Sequence, residues 1–227
     1  MRTSFSRSTF ALAVMAPLAL MACATASATS PTGAGAATAA PASVDSAKVA
    51  NLAAQPAGVY EVEPTHTSVT WRLSHSGLST YTARFDKVTG EINFNPSAPT
   101  SSTATIMIDP NSVSTGLPNF DKEIAKSVFK AEANPMIQFK STSLTATSPT
   151  TGTMTGDLSI AGVTKPITLN VTYNTGRMSP FSRRQNIGFS ASGKIKRSEW
   201  GMGNWINFGV GDDVDLIIEA EFLKKAS

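Results

Sequence analysis

The chain has 227 residues, with 19 Lys and Arg against 16 Asp and Glu, one cysteine and two histidines. A lone cysteine excludes a disulfide framework, two histidines leave little material for a Cys/His zinc site, and a formal charge of +3 leaves no electrostatic footprint for nucleic acid. Charged residues at 15% and aromatics at 7%, amid abundant Ala, Thr, Ser, Gly and Val, fit a β-rich exported protein better than a helical one.

Arg2 and Arg7 precede the uncharged run from Phe10 to Ala22. These are the basic and apolar regions of an export signal, and the run is too short to span a bilayer comfortably. It ends in Leu20-Met21-Ala22-Cys23, which resembles a bacterial lipobox. Residues 1–22 are therefore expected to be a lipoprotein-type signal peptide cleaved before a lipidated Cys23. Ordinary cleavage after Ala26-Ser27-Ala28 is the alternative, and it would discard Cys23. With residues 1–22 removed, 17 basic residues face 16 acidic ones, so most of the apparent basicity belongs to the signal.

Positions 24–43 are entirely Ala, Thr, Ser, Pro and Gly, a composition that cannot bury enough apolar surface to offset chain entropy. Residues 44–57 stay poor in aromatics, so 23–57 is expected to be a flexible linker and 58–226 one folded domain.

From Val59 onward apolar and polar residues alternate, as in Val69-Trp71-Leu73, Ala104-Ile106-Ile108, Ile167-Leu169-Val171-Tyr173 and Val214-Leu216-Ile218-Ala220-Phe222. About eight strands emerge, separated by turn signals such as Asn95-Pro96-Ser97, Ala161-Gly162 and Asn174-Thr175-Gly176. Short connections imply antiparallel hairpins, and closure into an up-and-down barrel removes exposed edges. The expected fold is all-β, an eight-stranded antiparallel lipocalin-like barrel with one short helix and a lumen wide enough for a small ligand. That helix is placed at Phe120, Ile124 and Val128, with Asn119 as N-cap. A bilayer-embedded barrel is disfavoured, because the outward positions Ser190, Ser192, Lys194 and Lys196 form no apolar band.

Four stretches resemble the YceI-like family: Tyr60-Glu-Val-Glu-Pro-Thr-His66-Thr-Ser68-Val-Thr-Trp-Arg-Leu-Ser-His75; Ala83-Arg84-Phe85; Gly156-Asp-Leu-Ser-Ile-Ala-Gly-Val-Thr-Lys-Pro-Ile167; and Gly193-Lys-Ile-Lys-Arg197-Ser-Glu-Trp-Gly201. The resemblance implies a periplasmic, non-enzymatic barrel enclosing a polyisoprenoid, isoprenoid quinone or fatty amide or acid, often as a homodimer. It implies no cofactor apart from such a ligand. In the helical segment Glu123 and Val128-Phe129-Lys130 depart from the family pattern, which bears on head-group choice.

Trp71, Phe94, Ile106, Ile108, Phe139, Leu158, Leu169, Val171, Phe189 and Leu216 are candidates for the lumen lining. His66, His75, Arg84 and Asp121 are candidates for head-group contacts, each with a structural alternative: a satisfied barrel-end histidine, an Arg84 bridge to Asp86 or Asp121, and an Asp121 that serves the helix dipole. His66 and His75 are nine apart and fall on opposite faces of a continuous strand, and no carboxylate stands at helical or hairpin spacing to complete a metal site. No metal is expected. Two rivals to a lipid-binding role remain: an enzyme or redox accessory with His66 or His75 as acid-base group, and a packed envelope barrel that works through a protein interface.

Overall fold

The computed structural model describes residues 45–226. The expected signal peptide, Cys23 and the expected linker up to residue 44 lie outside the described residues.

Period-2 alternation becomes strands β1 (Gly58–Val62), β2 (Ser68–His75), β3 (Ser79–Phe85), β4 (Val88–Phe94), β5 (Thr103–Ile108), β6 (Val113–Ser114), β7 (Ile137–Ser148), β8 (Thr151–Ile160), β9 (Val163–Met178), β10 (Gln185–Lys196) and β11 (Asp213–Lys224). All pair antiparallel. β1 and β2 are successive halves of one bent strand, as are β3 and β4: Tyr60 pairs with Ile92 in one half and Val69 with Phe85 in the other. β11 pairs with both β1 and β2, which closes the ring. The result is the closed eight-stranded barrel expected from the sequence, with the two-residue β6 appended to β3.

Two helices are present among the described residues, where the sequence pattern points to one. α2 (Pro118–Ser127) starts earlier than expected: Leu117 occupies the N-cap position and Pro118 begins the first turn. Proline suits that position because its missing N–H would be unpaired there anyway. Asn119 is thus inside the helix and not its cap.

α1 (Ser46–Ala53) corrects the linker boundary. Asp45 caps it by accepting from the Lys48 N–H at 3.1 Å, and Leu52 is buried at the barrel end. Asn51 fastens the helix to β9. Its Nδ2 donates to the Gly176 carbonyl at 3.0 Å, while its Oδ1 accepts from the Gly176 N–H at 2.8 Å and from Tyr173 Oη at 2.5 Å. Gln185 Nε2 donates to Gln55 Oε1, and Tyr60 Oη donates to the Pro56 carbonyl at 2.6 Å. Composition concealed this segment because a single apolar side chain and two amides hold it, too few residues to raise a periodic signal.

One glycine explains part of the motif string. A Cβ on Gly156 would stand 2.5 Å from Phe139 Cζ, so only glycine lets that ring lie across β8. On the outer wall Lys194 pairs with Asp215 at 3.1 Å, Lys196 with Asp213 at 2.9 Å and Arg184 with Glu61 at 2.8 Å, a charged exterior unlike a lipid-facing band.

Replacing Asn51 with alanine strands the Tyr173 hydroxyl and the Gly176 amide, which is expected to cost ~1–3 kcal/mol. Thermal melts should show a fall of roughly 2–4 °C per kcal/mol lost; an unchanged midpoint would mean that α1 is not fastened as described.

Candidate functional site: an apolar lumen

The inward faces of the strands enclose a continuous cavity of about 820 Å³ running between the two barrel ends. All ten residues expected to line it do so: Trp71, Phe94, Ile106, Ile108, Phe139, Leu158, Leu169, Val171, Phe189 and Leu216. A cavity of this size is incompatible with the expectation of a packed barrel without one. An eight-stranded interior can be filled by side chains or left open for one small ligand, and here it is left open.

Aromatic rings gather at both ends. At the α1 end, Phe189 lies 5.5 Å from Tyr173, 6.1 Å from Phe94 and 6.1 Å from Phe222, centroid to centroid. At the α2 end, Trp71 lies 6.0 Å from Tyr81, Tyr81 6.3 Å from Phe120, and Phe120 6.4 Å from Trp205. Phe120, Ile124 and Val128, the stripe read from the sequence, all face the lumen from α2. Burial pushes the phenols of Tyr60 and Tyr173 up to about 12, with the neighbouring Tyr60 adding to the effect at Tyr173. Both therefore stay neutral and serve as hydrogen-bond donors.

The four head-group candidates separate. His75 ends β2 on the inward face, as the alternation of Val69, Trp71 and Leu73 requires, and lines the lumen at the α2 end. His66, Arg84 and Asp121 do not line it. Arg84 points outward and pairs with Asp86 at 2.9 Å, the structural alternative foreseen for it. Asp121 sits in the first turn of α2 and accepts from the Thr115 N–H at 2.7 Å and Thr115 Oγ1 at 2.6 Å. Its carboxylate is spent on the loop before the helix and complements the helix dipole.

His66 lies on the outer wall, in the bend between β1 and β2. Its Nδ1 is 2.7 Å from Glu63 Oε2, and its backbone N–H donates to the same oxygen at 2.8 Å. Thr65 Oγ1 donates to Glu63 Oε1 at 2.5 Å. Carboxylates do join this histidine, contrary to the sequence expectation. Glu63 arrives through the local turn and Glu221 from β11, with one donor atom each within 4.8 Å of the others. Only the closure of β1 against β11 brings Glu221 there. The short Glu63–His66 pair accounts for the arrangement as a turn that holds the bend.

Arg197 is the residue that sequence reasoning missed. It follows the exposed Lys194 and Lys196 in the sequence, yet it is only 5% exposed and borders the lumen. Its Nε donates to the Gly211 carbonyl at 2.7 Å, Nη1 to Met202 at 2.5 Å and Nη2 to Val210 at 3.2 Å. One guanidinium therefore folds the connection between β10 and β11 over the barrel end. Burial lowers its pKa, opposed by the charge of Asp212. The signal available in the sequence was its position within the Gly193–Gly201 motif, not its charge.

A model of the YceI-like domain matches residues 60–222. The chain belongs to the YceI-like family. A UPF0312 protein of Pseudomonas putida is 30% identical over 141 residues, covering 62% of this chain and 73% of the relative. A UPF0312 protein of Vibrio cholerae is 26% identical over 168 residues, covering 74% and 87%. Among solved structures, the YceI protein of Campylobacter jejuni matches with a TM-score of 0.58 at 29% identity, covering 67% of this chain and 90% of that one. BcnA of Burkholderia cenocepacia shares the fold with a TM-score of 0.64 at 22% identity, covering 70% and 98%. So does a polyisoprenoid binding domain from Saccharophagus degradans, with a TM-score of 0.58 at 18% identity, covering 73% and 98%.

The Glu63 carboxyl provides a pH test of the bend. Partial burial would raise its pKa, but hydrogen bonds from the side chains and backbone amides of Thr65 and His66 outweigh that and hold it below the usual carboxylate range. A lowered folded-state value means that its contribution to stability is present above the ordinary glutamate range and is lost as pH falls through the folded value. Denaturant melts from pH 7 to pH 3 should show wild type losing more stability than Glu63→Gln; parallel curves would contradict the assignment.

Proposed function

We propose that this protein is an exported binding barrel that encloses one long-chain amphiphile, of the polyisoprenoid, isoprenoid-quinone or fatty amide or acid type, in the periplasm. The lumen carries the reading. Its volume of about 820 Å³ falls within the range of sites that enclose a small molecule, and its wall is overwhelmingly apolar. Burial against such a wall contributes about 25 cal/mol per Å², so a long apolar chain gains affinity along its whole length while no single contact dominates.

The fold shared with a polyisoprenoid binding domain supports the same class of ligand. The Arg2, Arg7 and Phe10–Ala22 pattern supports export, and Cys23 supports a thioether lipid anchor with residues 24–44 as tether. Binding, rather than chemistry on the ligand, is the role we assign. His66 lies outside the lumen, and His75 makes no side-chain hydrogen bond among the described residues that would orient it as an acid-base group. Storage, delivery and sequestration are all served by such a lumen.

Ala191 lies on the lumen wall in β10, and tryptophan there would obstruct the channel. Native mass spectrometry of protein purified from an envelope fraction is expected to show one bound lipid per wild-type chain and at least roughly tenfold less on Ala191→Trp. Recovery of no lipid from the wild type, or equal loading of both, would defeat the proposal.

A further inference from the structure

Three stretches at the α2 end of the lumen carry no formal charge, although the connections they belong to also include Asp121, Lys122, Glu123, Lys126, Glu199 and Asp212. Residues 73–83, 110–120 and 200–211 contain no Lys, Arg, Asp or Glu, although 15% of the chain is charged. His75 is the one histidine among them. The same three segments carry large apolar side chains held out in solvent: Leu78 is 84% exposed, Leu117 64%, Phe208 81% and Trp205 36%.

The segments meet in space. Ser76 N–H donates to the Gly209 carbonyl at 2.8 Å and Gly211 N–H to the Ser74 carbonyl at 2.7 Å, so the β2–β3 turn leans on residues 205–211. Asn204 Nδ2 donates to the Ser127 carbonyl at 3.4 Å, and the Phe120 ring stands against Trp205, which joins the same residues to α2. Ser76 and Trp205 hold left-handed backbone, with φ of 55° and 61°, a conformation retained by non-glycine residues where surrounding structure imposes it. Exposed apolar side chains on strained, mutually braced loops form a built surface rather than scattered single residues.

We propose that this rim docks on the interfacial region of a lipid bilayer. Three observations select that occupant. The exposed Leu78, Leu117, Trp205 and Phe208 lie on stretches that contribute no charge, so these side chains can enter the headgroup boundary without the desolvation cost that a lysine or aspartate would impose, while Lys130, whose Nζ stands beside Gly201, is a cation at their margin. Its mixture of Trp, Phe and Leu with Ser, Thr and Asn matches the interface, where an apolar body and a hydrogen-bonding group are both accommodated. Trp205 and Phe208 also line the lumen, so the apolar surface is continuous from rim to interior. A ligand could then pass between membrane and barrel without crossing water, whereas a second copy seated here would close the mouth. The exchange step rests on the lumen reading above; the docking itself does not.

The test uses the chain from Ala24 onward, which keeps the compact unit from residue 42 and removes both the apolar run and Cys23. Sedimentation with neutral phosphatidylcholine vesicles is expected to show binding that persists in 0.5 M salt. Phe208→Ser and Leu78→Ser should each weaken partitioning roughly tenfold. Phe181→Ser is the control: Phe181 is 97% exposed in the turn after β9 at the opposite end, and its replacement should change nothing. In a Trp71→Phe background, which removes the other tryptophan that lines the lumen, quenching by brominated lipids should come from Trp205 and vanish when Trp205→Phe is added, since Trp200 is only 2% exposed. Absence of vesicle binding, an equal loss in Phe181→Ser, or a dimer that Leu78→Ser dissolves without any vesicle binding would overturn the proposal. Lipid extraction from the same preparation separates the two readings. Lipid recovered without vesicle binding removes the docking alone, and vesicle binding without recovered lipid supports docking while removing the lumen reading.

Discussion

Everything in this structure depends on β11 pairing with both halves of the bent first strand. Lys224, Leu223 and Phe222 close on Tyr60, Glu61 and Val62, while Asp215 to Glu219 close on Arg72 to Ser68. That double seam converts a meander into a ring and leaves no long unpaired edge. It also forces a bend, because one strand must follow two stretches of its neighbour across residues 63–67. The bend is held by polar groups: Glu63 gathers Thr65 and His66, and buried Thr67 Oγ1 accepts from the Glu221 N–H at 3.2 Å.

Closure has a second consequence. In this ring of eight strands the inward side chains leave the middle open, so the apolar residues that secure the fold also line the lumen. No disulfide is available to a chain with one cysteine, and stability must come from strand pairing and from packing at the two ends. There the aromatic clusters, α1, α2 and the Arg197-bound connection do the packing. The ends are therefore both structural plugs and the places where a ligand must enter. At one end α1 packs Leu52 beside residues of the β4–β5 and β7–β8 connections that also line the lumen, and at the other the exposed Leu78, Leu117, Trp205 and Phe208 stand on uncharged stretches of the loops.

How much was legible follows from the reach of each signal. Strand alternation acts within a few residues, so the inward set from Trp71 to Leu216 could be read from the sequence, and β2's parity placed His75 on the lumen face. Helical spacing of Phe120, Ile124 and Val128 gave the stripe of α2, but its cap depended on Pro118 and was misplaced by two residues. Arg84, Asp121 and His66 were plausible contacts by residue type alone. Each had a partner nearer than the lumen: Asp86, Thr115 and Glu63.

Arg197 and α1 were hidden for the opposite reason. Their partners lie far along the chain: the Arg197 guanidinium is satisfied by carbonyls from residues 202–211, and Asn51 by Gly176 and Tyr173. By itself the sequence determined the barrel class and the inward apolar set, since period-2 order is a local property. Tertiary structure alone decided which polar residues face the lumen, that Leu78, Leu117, Trp205 and Phe208 share one rim, and that Glu221 meets His66. Those facts depend on contacts between distant strands, which exist only once the ring is closed.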